Sequence, residues 1–292
     1  MKVKAYAKIN WSLDITGVRE DGYHLMDMLM QPISLADELE IEPAEELRLR
    51  VTGFPRVGAD ENNLVIRATR ELQARTGCRR GAAMVLRKRI PVQAGLGGGS
   101  SDAAAALRGL DRLWETHVPE EELERIALGL GADVPFFLRG GLVRTQGIGE
   151  ELTPLPWRKR WPLVIVQPAA GLSTGKVFSA FDAEENVRHP DTELAMRGLA
   201  EGRLDWVRKG IGNVLQPVSE QLCPEIRLAL QELVAFGAKT ACMTGSGSAV
   251  FGVFASRADA ERAWRHVRKR WRSAFVCVPQ ENALSSENRE DP

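Results

Sequence analysis

Residues 91–106 read PVQAGLGGGSSDAAAA, and this run constrains the fold more than any other part of the chain. The apolar stretch from Met84 to Ile90 predicts a strand before it, and the alanines predict a helix after it. Glycines stand between them at Gly95, Gly97, Gly98 and Gly99. Lacking a Cβ, glycine can take positive φ and lets a ligand approach the main chain. Ser100, Ser101 and Asp102 fall where the helix would begin. A helix N-terminus offers unpaired N–H groups and a partial positive charge. Strand, glycine turn and helix start together form an anion cradle suited to nucleotide phosphates. The same residues also suit a flexible connection with a serine N-cap.

Two commoner phosphate loops do not fit. A Walker loop needs G-x-x-x-x-G-K-[ST], but Gly99 is followed by Ser100, and Gly175-Lys176 continues to Val177. The dinucleotide fingerprint G-x-G-x-x-G fails because Ser100 occupies its last position.

The 292 residues suffice for one large domain or two moderate ones. Lys plus Arg and Asp plus Glu both number 39, so no net field recruits nucleic acid or an anionic membrane. Cys78, Cys223, Cys242 and Cys277 lack C-x-x-C spacing and read as reduced thiols, not a disulfide frame or zinc site. No apolar run approaches membrane-spanning length. The expectation is a soluble cytoplasmic protein that binds neither nucleic acid nor membrane, with no protein partner implied.

Residues 3–15 alternate, with Val3, Ala5, Ala7, Ile9, Trp11, Leu13 and Ile15 on one parity and Lys4, Lys8, Asn10, Ser12 and Asp14 on the other. Period two predicts a half-buried strand with a polar face. Leu39–Ile41 and Leu47–Val51 predict further strands with a break near Pro43; Leu64–Ala74 predicts a helix. Pro119 and Glu120–Glu122 open another helix that Gly129 and Gly131 close. Three prolines and Arg158-Lys159-Arg160, between Thr153 and Pro162, mark a domain boundary. Beyond it a strand (Leu163–Val166), helices, a strand pair (Ala241–Phe254), a helix around Ala260–Val267 and a last strand (Ala274–Val278) suggest a ferredoxin-like α+β sandwich. The polar tail from Asn282 to Pro292 is expected to be disordered.

GLGGGSSDAA resembles the central ATP-binding motif of the GHMP kinases. AKINWSLDITGVREDGYH, GADVPFFLRGG and MTGSGSAVFGVF agree in the expected order, so that the resemblance spans about residues 3–278. It implies a two-domain α+β fold: residues 1–155 as an ATP-binding domain of the ribosomal protein S5 domain 2-like type, and 156–281 as a ferredoxin-like domain. The triple glycine with two serines is most similar to the branch that phosphorylates the 2-hydroxyl of 4-diphosphocytidyl-2-C-methyl-D-erythritol in non-mevalonate isoprenoid synthesis. ATP as donor and Mg²⁺ are implied, with no metal ligands assignable. Another small-alcohol kinase of homoserine or mevalonate type, or a catalytically silent nucleotide-binding regulator, are the alternatives.

From the residues alone, Asp133 in GADVPFF can be a proton acceptor or a helix cap. The resemblance implies the catalytic role, with Lys8 beside it polarising the acceptor hydroxyl; a strand lysine is otherwise solvated. It further implies that Pro91, Val92, Gln93, Ala94, Gly95, Leu96, Gly97, Gly98, Gly99, Ser100 and Ser101 bind ATP, and that Asn63 and Leu64 flank the adenine. For the substrate it implies Asn10, Tyr23, His24, Thr174, Phe178, Gly245 and Ser246, with Tyr23 and Phe178 as stacking walls and His24 at the base edge. Plainer readings are a turn at DGYH, a cap at Asn63 and a glycine-rich hairpin at 244–248. Trp11 stands where the family usually has leucine, and Ser248 where proline is common; these departures bear on packing near Lys8 and on the closing loop.

Overall fold

A computed structural model of the protein describes residues 1–54, 57–168 and 171–287. The chain begins with strands β1 (Lys2–Val18), β2 (His24–Ala44) and β3 (Leu47–Thr52). Helix α1 (Leu64–Thr76) and strand β4 (Gly81–Arg87) lead to the glycine loop. Helices α2 (Gly98–Trp114), α3 (Glu120–Leu130) and α4 (Val134–Arg139) follow, then β5 (Leu142–Gly147) and β6 (Glu151–Leu155). Next come β7 (Leu163–Gln167), α5 (Thr174–Phe181), α6 (Thr192–Glu201), α7 (Leu204–Gly210) and the two-residue β8 (Gly212–Asn213). The chain continues through α8 (Gln216–Leu222), α9 (Glu225–Ala235), β9 (Thr240–Met243) and β10 (Val250–Val253). It ends with α10 (Arg257–Val267), β11 (Ser273–Cys277) and β12 (Leu284–Glu287).

Two sheets organise these elements. The larger runs β12-β1-β2-β4-β3, with β5 and β6 continuing from β2 and β8 joining β1. The smaller, β11-β7-β10-β9, is antiparallel throughout, and its βαββαβ order is that of a ferredoxin-like domain. The composition change at 153–162 begins in the last residues of β6 and ends just before β7 of the other sheet. The two parts still interlock, since β8 and β12 both pair with β1.

Residues 284–287 are not the disordered tail expected there. Ala5 pairs with Leu284 and Lys2 with Glu287, while Tyr6 N–H donates to the Ala283 carbonyl at 3.0 Å. The outer edge of β1 presents free main-chain groups, and this segment satisfies them. The rest of the expected tail lies outside the described residues.

Two features of β1 and β2 also depart from the sequence pattern. Register shifts at Tyr6/Ala7 and Asn10/Ser12 interrupt the ladder between them. Each bulge turns the following side chains to the opposite face. Val3, Ala5, Leu13 and Ile15 therefore join the core under the helices, whereas Ala7, Ile9 and Trp11 join the core facing the second sheet. Trp11 meets Phe251 of β10 edge-on at 5.6 Å, and its Nε1–H donates to Gln31. The expected polar face of β1 is buried at Lys8, Asn10 and Ser12. Strand β2 passes through Pro43 unbroken, pairing with Ala82 of β4. Pairing on the β1 side ends at Glu40 and Ile41, which bonds Met1, so among the described residues the missing N–H of Pro43 falls beyond the last partner on that side.

Helix α2 covers the larger sheet closely because Ala103, Ala104, Ala105 and Ala106 are fully buried and small. That contact fixes the start of α2, and with it the glycine loop, against β1. Among the described residues no helix is long and apolar enough to cross a membrane.

Candidate active site

The glycine loop does not use its four glycines alike. Only Gly95 (φ +73°) and Gly97 (φ +69°) take the left-handed conformation, while Gly98 and Gly99 are already the first residues of α2. A Cβ at Gly95 would lie 2.2 Å from the Thr244 carbonyl, and one at Gly97 would lie 2.7 Å from Phe137 Cζ. Both positions therefore need glycine for conformation and for space. Gly97 is the N-cap of α2 and no side chain caps it, so the serine-cap alternative is not realised. The N–H groups of the first turn stay open to an anion.

The loop is docked on β1, where Lys8 N–H donates to the Leu96 carbonyl at 3.0 Å. Beside it, Lys8 Nζ lies 3.8 Å from Asp133 Oδ2 and donates to Asn10 Oδ1 at 2.7 Å. Burial pushes the Lys8 ammonium below its ordinary pKa, and the charge of Asp133 partly restores it. Asp133 occupies the N-cap position of α4, yet its carboxylate caps no N–H there. It faces the cavity with a side chain 34% exposed, against 5% for Lys8. Gly131 and Pro135 place it: the first ends α3 and the second starts α4.

One cavity of about 1070 Å³ gathers most of the expected residues. Pro91 through Ser100, Leu64, Lys8, Asp133, Tyr23, His24, Thr174 and Phe178 all line it. Gly245 and Ser246 reach in from the loop joining β9 to β10, and Ser246 Oγ lies 3.0 Å from Thr174 Oγ1. The ring of His24 leans on Phe178 at 4.8 Å, and its Nε2 lies 2.6 Å from Asp182 Oδ1. Tyr23 is 60% exposed.

Three expected residues are not on the cavity wall. Asn10 is buried with its Oδ1 accepting from Lys8, from Thr244 Oγ1 at 3.2 Å and from Gly245 N–H at 3.0 Å. It ties β1 to the loop of the second sheet rather than pointing at a ligand. Asn63 caps α1 by accepting from Val65 N–H at 2.9 Å and donates to the Gly58 carbonyl, as its plainer reading had it. Ser101 is fully buried, and among the described residues its Oγ has no hydrogen-bond partner.

Other supports carry no sequence signal. Lys88, just before the loop, is buried and donates to Asp37 Oδ2 at 2.5 Å and to Asp102 Oδ2 at 2.6 Å. Asp37 also accepts from Ile90 and Arg89 N–H, so this triad holds both sides of the glycine loop. Burial drives the Asp102 carboxyl well above its ordinary pKa, with Lys88 opposing and Asp37 adding to the rise. Burial acts to lower the Lys88 ammonium, and the two carboxylates outweigh it, leaving it raised. Asn213 Nδ2 supports the opposite loop through the Met243 and Gly245 carbonyls, at 3.0 and 2.8 Å. Asp37 and Asp102 lie far apart in sequence, and only the packing of α2 on β2 joins them. Among the described residues no group of three or more His, Cys, Asp or Glu is placed to hold a metal ion.

The arrangement offers an anion-binding loop, a buried cation and an accessible carboxylate around one space. Comparisons with known proteins agree. The GHMP kinases N terminal domain matches residues 63–141, and the GHMP kinases C terminal domain matches residues 195–273. A 4-diphosphocytidyl-2-C-methyl-D-erythritol kinase of Clostridium tetani is 38% identical over 279 residues, 94% of this chain and 99% of its own. One of Prosthecochloris aestuarii is 42% identical over 277 residues, 94% of this chain and 96% of its own. A crystal structure of 4-(cytidine 5'-diphospho)-2C-methyl-D-erythritol kinase superposes with a TM-score of 0.82 at 35% identity, covering 98% of this chain and 100% of its own. Identity of this extent over nearly the full length of both partners places the chain in the 4-diphosphocytidyl-2-C-methyl-D-erythritol kinase family of the GHMP kinases.

Proposed function

We propose that this protein transfers the γ-phosphoryl group of ATP to the 2-hydroxyl of 4-diphosphocytidyl-2-C-methyl-D-erythritol, as a cytoplasmic enzyme of non-mevalonate isoprenoid synthesis. The observation that carries the reading is one cavity whose lining brings together the glycine loop, the rings of Tyr23, His24 and Phe178, and the Lys8–Asp133 pair. In this reading residues 1–155 hold ATP and 156–281 close over the substrate.

The open N–H groups at the start of α2 take the phosphates, and Leu64 packs beside the adenine. Asp133 accepts the proton of the substrate hydroxyl as its oxygen bonds to the γ-phosphorus and the bond to ADP breaks. Lys8, beside that carboxylate, damps the charge that builds up during transfer. Tyr23 and Phe178 hold the cytosine between ring faces, and His24 meets its edge. Thr174, Gly245 and Ser246 border the path of the transferring group. Asn10 serves by orienting Lys8, and Asn63 and Ser101 by shaping the loop surroundings. Mg²⁺ would neutralise the phosphates. With no carboxylate cage among the described residues, it would be held by the nucleotide phosphates together with serine hydroxyls and water.

A panel of alcohol acceptors with ATP and Mg²⁺, read by product mass and phosphorus NMR, tests this. Turnover of the cytidylylated polyol at its 2-hydroxyl is expected. Turnover of homoserine or mevalonate without it would overturn the substrate assignment, and ATP binding without any transfer would point to a regulator.

A further inference from the structure

A second cleft, of about 770 Å³, lies between the larger sheet and the α10–β11 side of the second domain. It shares no lining residue with the nucleotide cavity. Its volume is that of a small-ligand site, for which about 300–1000 Å³ is usual. Five basic side chains line it: Lys4 on β1, Arg87 and Arg89 at the end of β4, and Arg257 and Arg265 on one face of α10. The three acidic residues in the lining are already engaged. Glu38 pairs with Arg87 at 3.3 Å, Glu261 with Arg257 at 2.8 Å, and Asp37 with Lys88 at 2.5 Å. Among the described residues, the side chains of Arg89 and Arg265 make no ion pair and no hydrogen bond. Leu35 and Ala274 give the cleft an apolar backing.

We propose that this cleft is a binding site for a small phosphorylated molecule, held by Arg89 and Arg265. Two unpaired guanidinium groups on opposite walls present planar donor forks that match phosphate oxygens, with charge assistance. Five basic against three acidic side chains give the cleft lining an excess of positive charge, although the chain as a whole has none. A confined site of this size suits a compact polyanion with a short apolar body, and not a nucleic acid strand. The inference stands independently of the substrate assigned above, because it uses none of the residues placed at the nucleotide cavity.

The test uses inorganic tripolyphosphate as the probe, titrated calorimetrically into the full chain saturated with ADP in metal-free buffer. ADP keeps the probe off the glycine loop. One saturable binding event is expected, weakened at least about tenfold in Arg89→Ala/Arg265→Ala and by raised salt. Both arginines are exposed, so the double variant should keep its circular dichroism and its ATP turnover. No saturable heat up to about 5 mM probe, beyond the millimolar limit of useful affinity, would overturn the proposal. Equal binding in wild type and double variant would overturn it too, as would tighter binding of a single-stranded oligonucleotide than of tripolyphosphate.

Discussion

Replacing Asp133 with asparagine separates its chemical role from its structural one. The amide keeps the shape but cannot take a proton, and loss of a general base typically costs about a hundred- to ten-thousand-fold in rate. A loose, dissociative transfer asks little of the base, which places the expectation at the lower end, about a hundred- to a thousandfold in kcat. The electrostatic part follows from the 3.8 Å separation to Lys8. At an effective dielectric of about 20, such a pair is worth about 4 kcal/mol. Asp133 is 34% exposed, so solvent screening reduces this to about 2 kcal/mol, a factor of about thirty within the total above. The ATP KM should hardly change, because the phosphates rest on main-chain N–H groups. Asp133 caps no helix N–H, so no cap is lost. The melting temperature should fall by only a few degrees, through the uncompensated Lys8 charge. The pH profile adds a second readout. Lys8 must be charged to act, and burial already lowers its pKa, so the alkaline limb of the rate should lie below the ordinary 10.5. The Asp133 charge raises that pKa, so Asp133→Asn should move the limb to still lower pH. Initial rates across pH at saturating ATP measure both effects. Near-normal turnover with an unmoved limb would mean that Asp133 merely starts α4.

Four further outcomes are expected. Gly97→Ala forces a side chain into φ +69° and against Phe137, strain of about 1–3 kcal/mol, and should weaken ATP in a calorimetric titration of the still-folded variant. Unchanged affinity would remove the loop from the site. Tyr23→Ala with Phe178→Ala should raise the KM for the cytidylylated substrate about a hundredfold at unchanged ATP KM, since each stacking face is worth about 1–3 kcal/mol. Asp182→Ala frees the His24 ring held at 2.6 Å and should raise the same KM, whereas an effect on ATP would place Asp182 elsewhere in function. Asp102→Asn should gain stability relative to wild type as pH rises above 3.8. The folded chain holds the Asp102 proton more tightly than the unfolded one, so wild-type stability falls through that window while the amide is exempt. Melting temperatures of both proteins at several pH values test this, and a pH-independent difference would refute it.

Local signals carried much of this protein. The strand–glycine–helix order around 84–114, the caps of α1 and α3 and the βαββαβ order of the second domain all follow from periodicity and turn residues, which act over a few positions. Lys8, Asp133 and the rings of Tyr23, His24 and Phe178, which the motif resemblance named, line one cavity. What the sequence could not show depends on contacts between distant segments. Most of β2 escaped notice because Asp27, Gln31 and Asp37 break its alternation. Each is paired only in three dimensions, with Arg144, Trp11 and Lys88. The bulges in β1 invert which parity faces which core, so the residues read as a solvated polar face became its buried interior. Asn10 looked like a ligand contact and is a tie between domains, because Thr244 and Gly245 arrive from the other end of the chain. β12 looked like a polar tail and is a strand, because an edge satisfies its main-chain groups whatever its composition. Composition and spacing determine which local elements form. The partner of each buried polar group, and hence whether it binds, braces or titrates, is decided only when the fold brings the segments together.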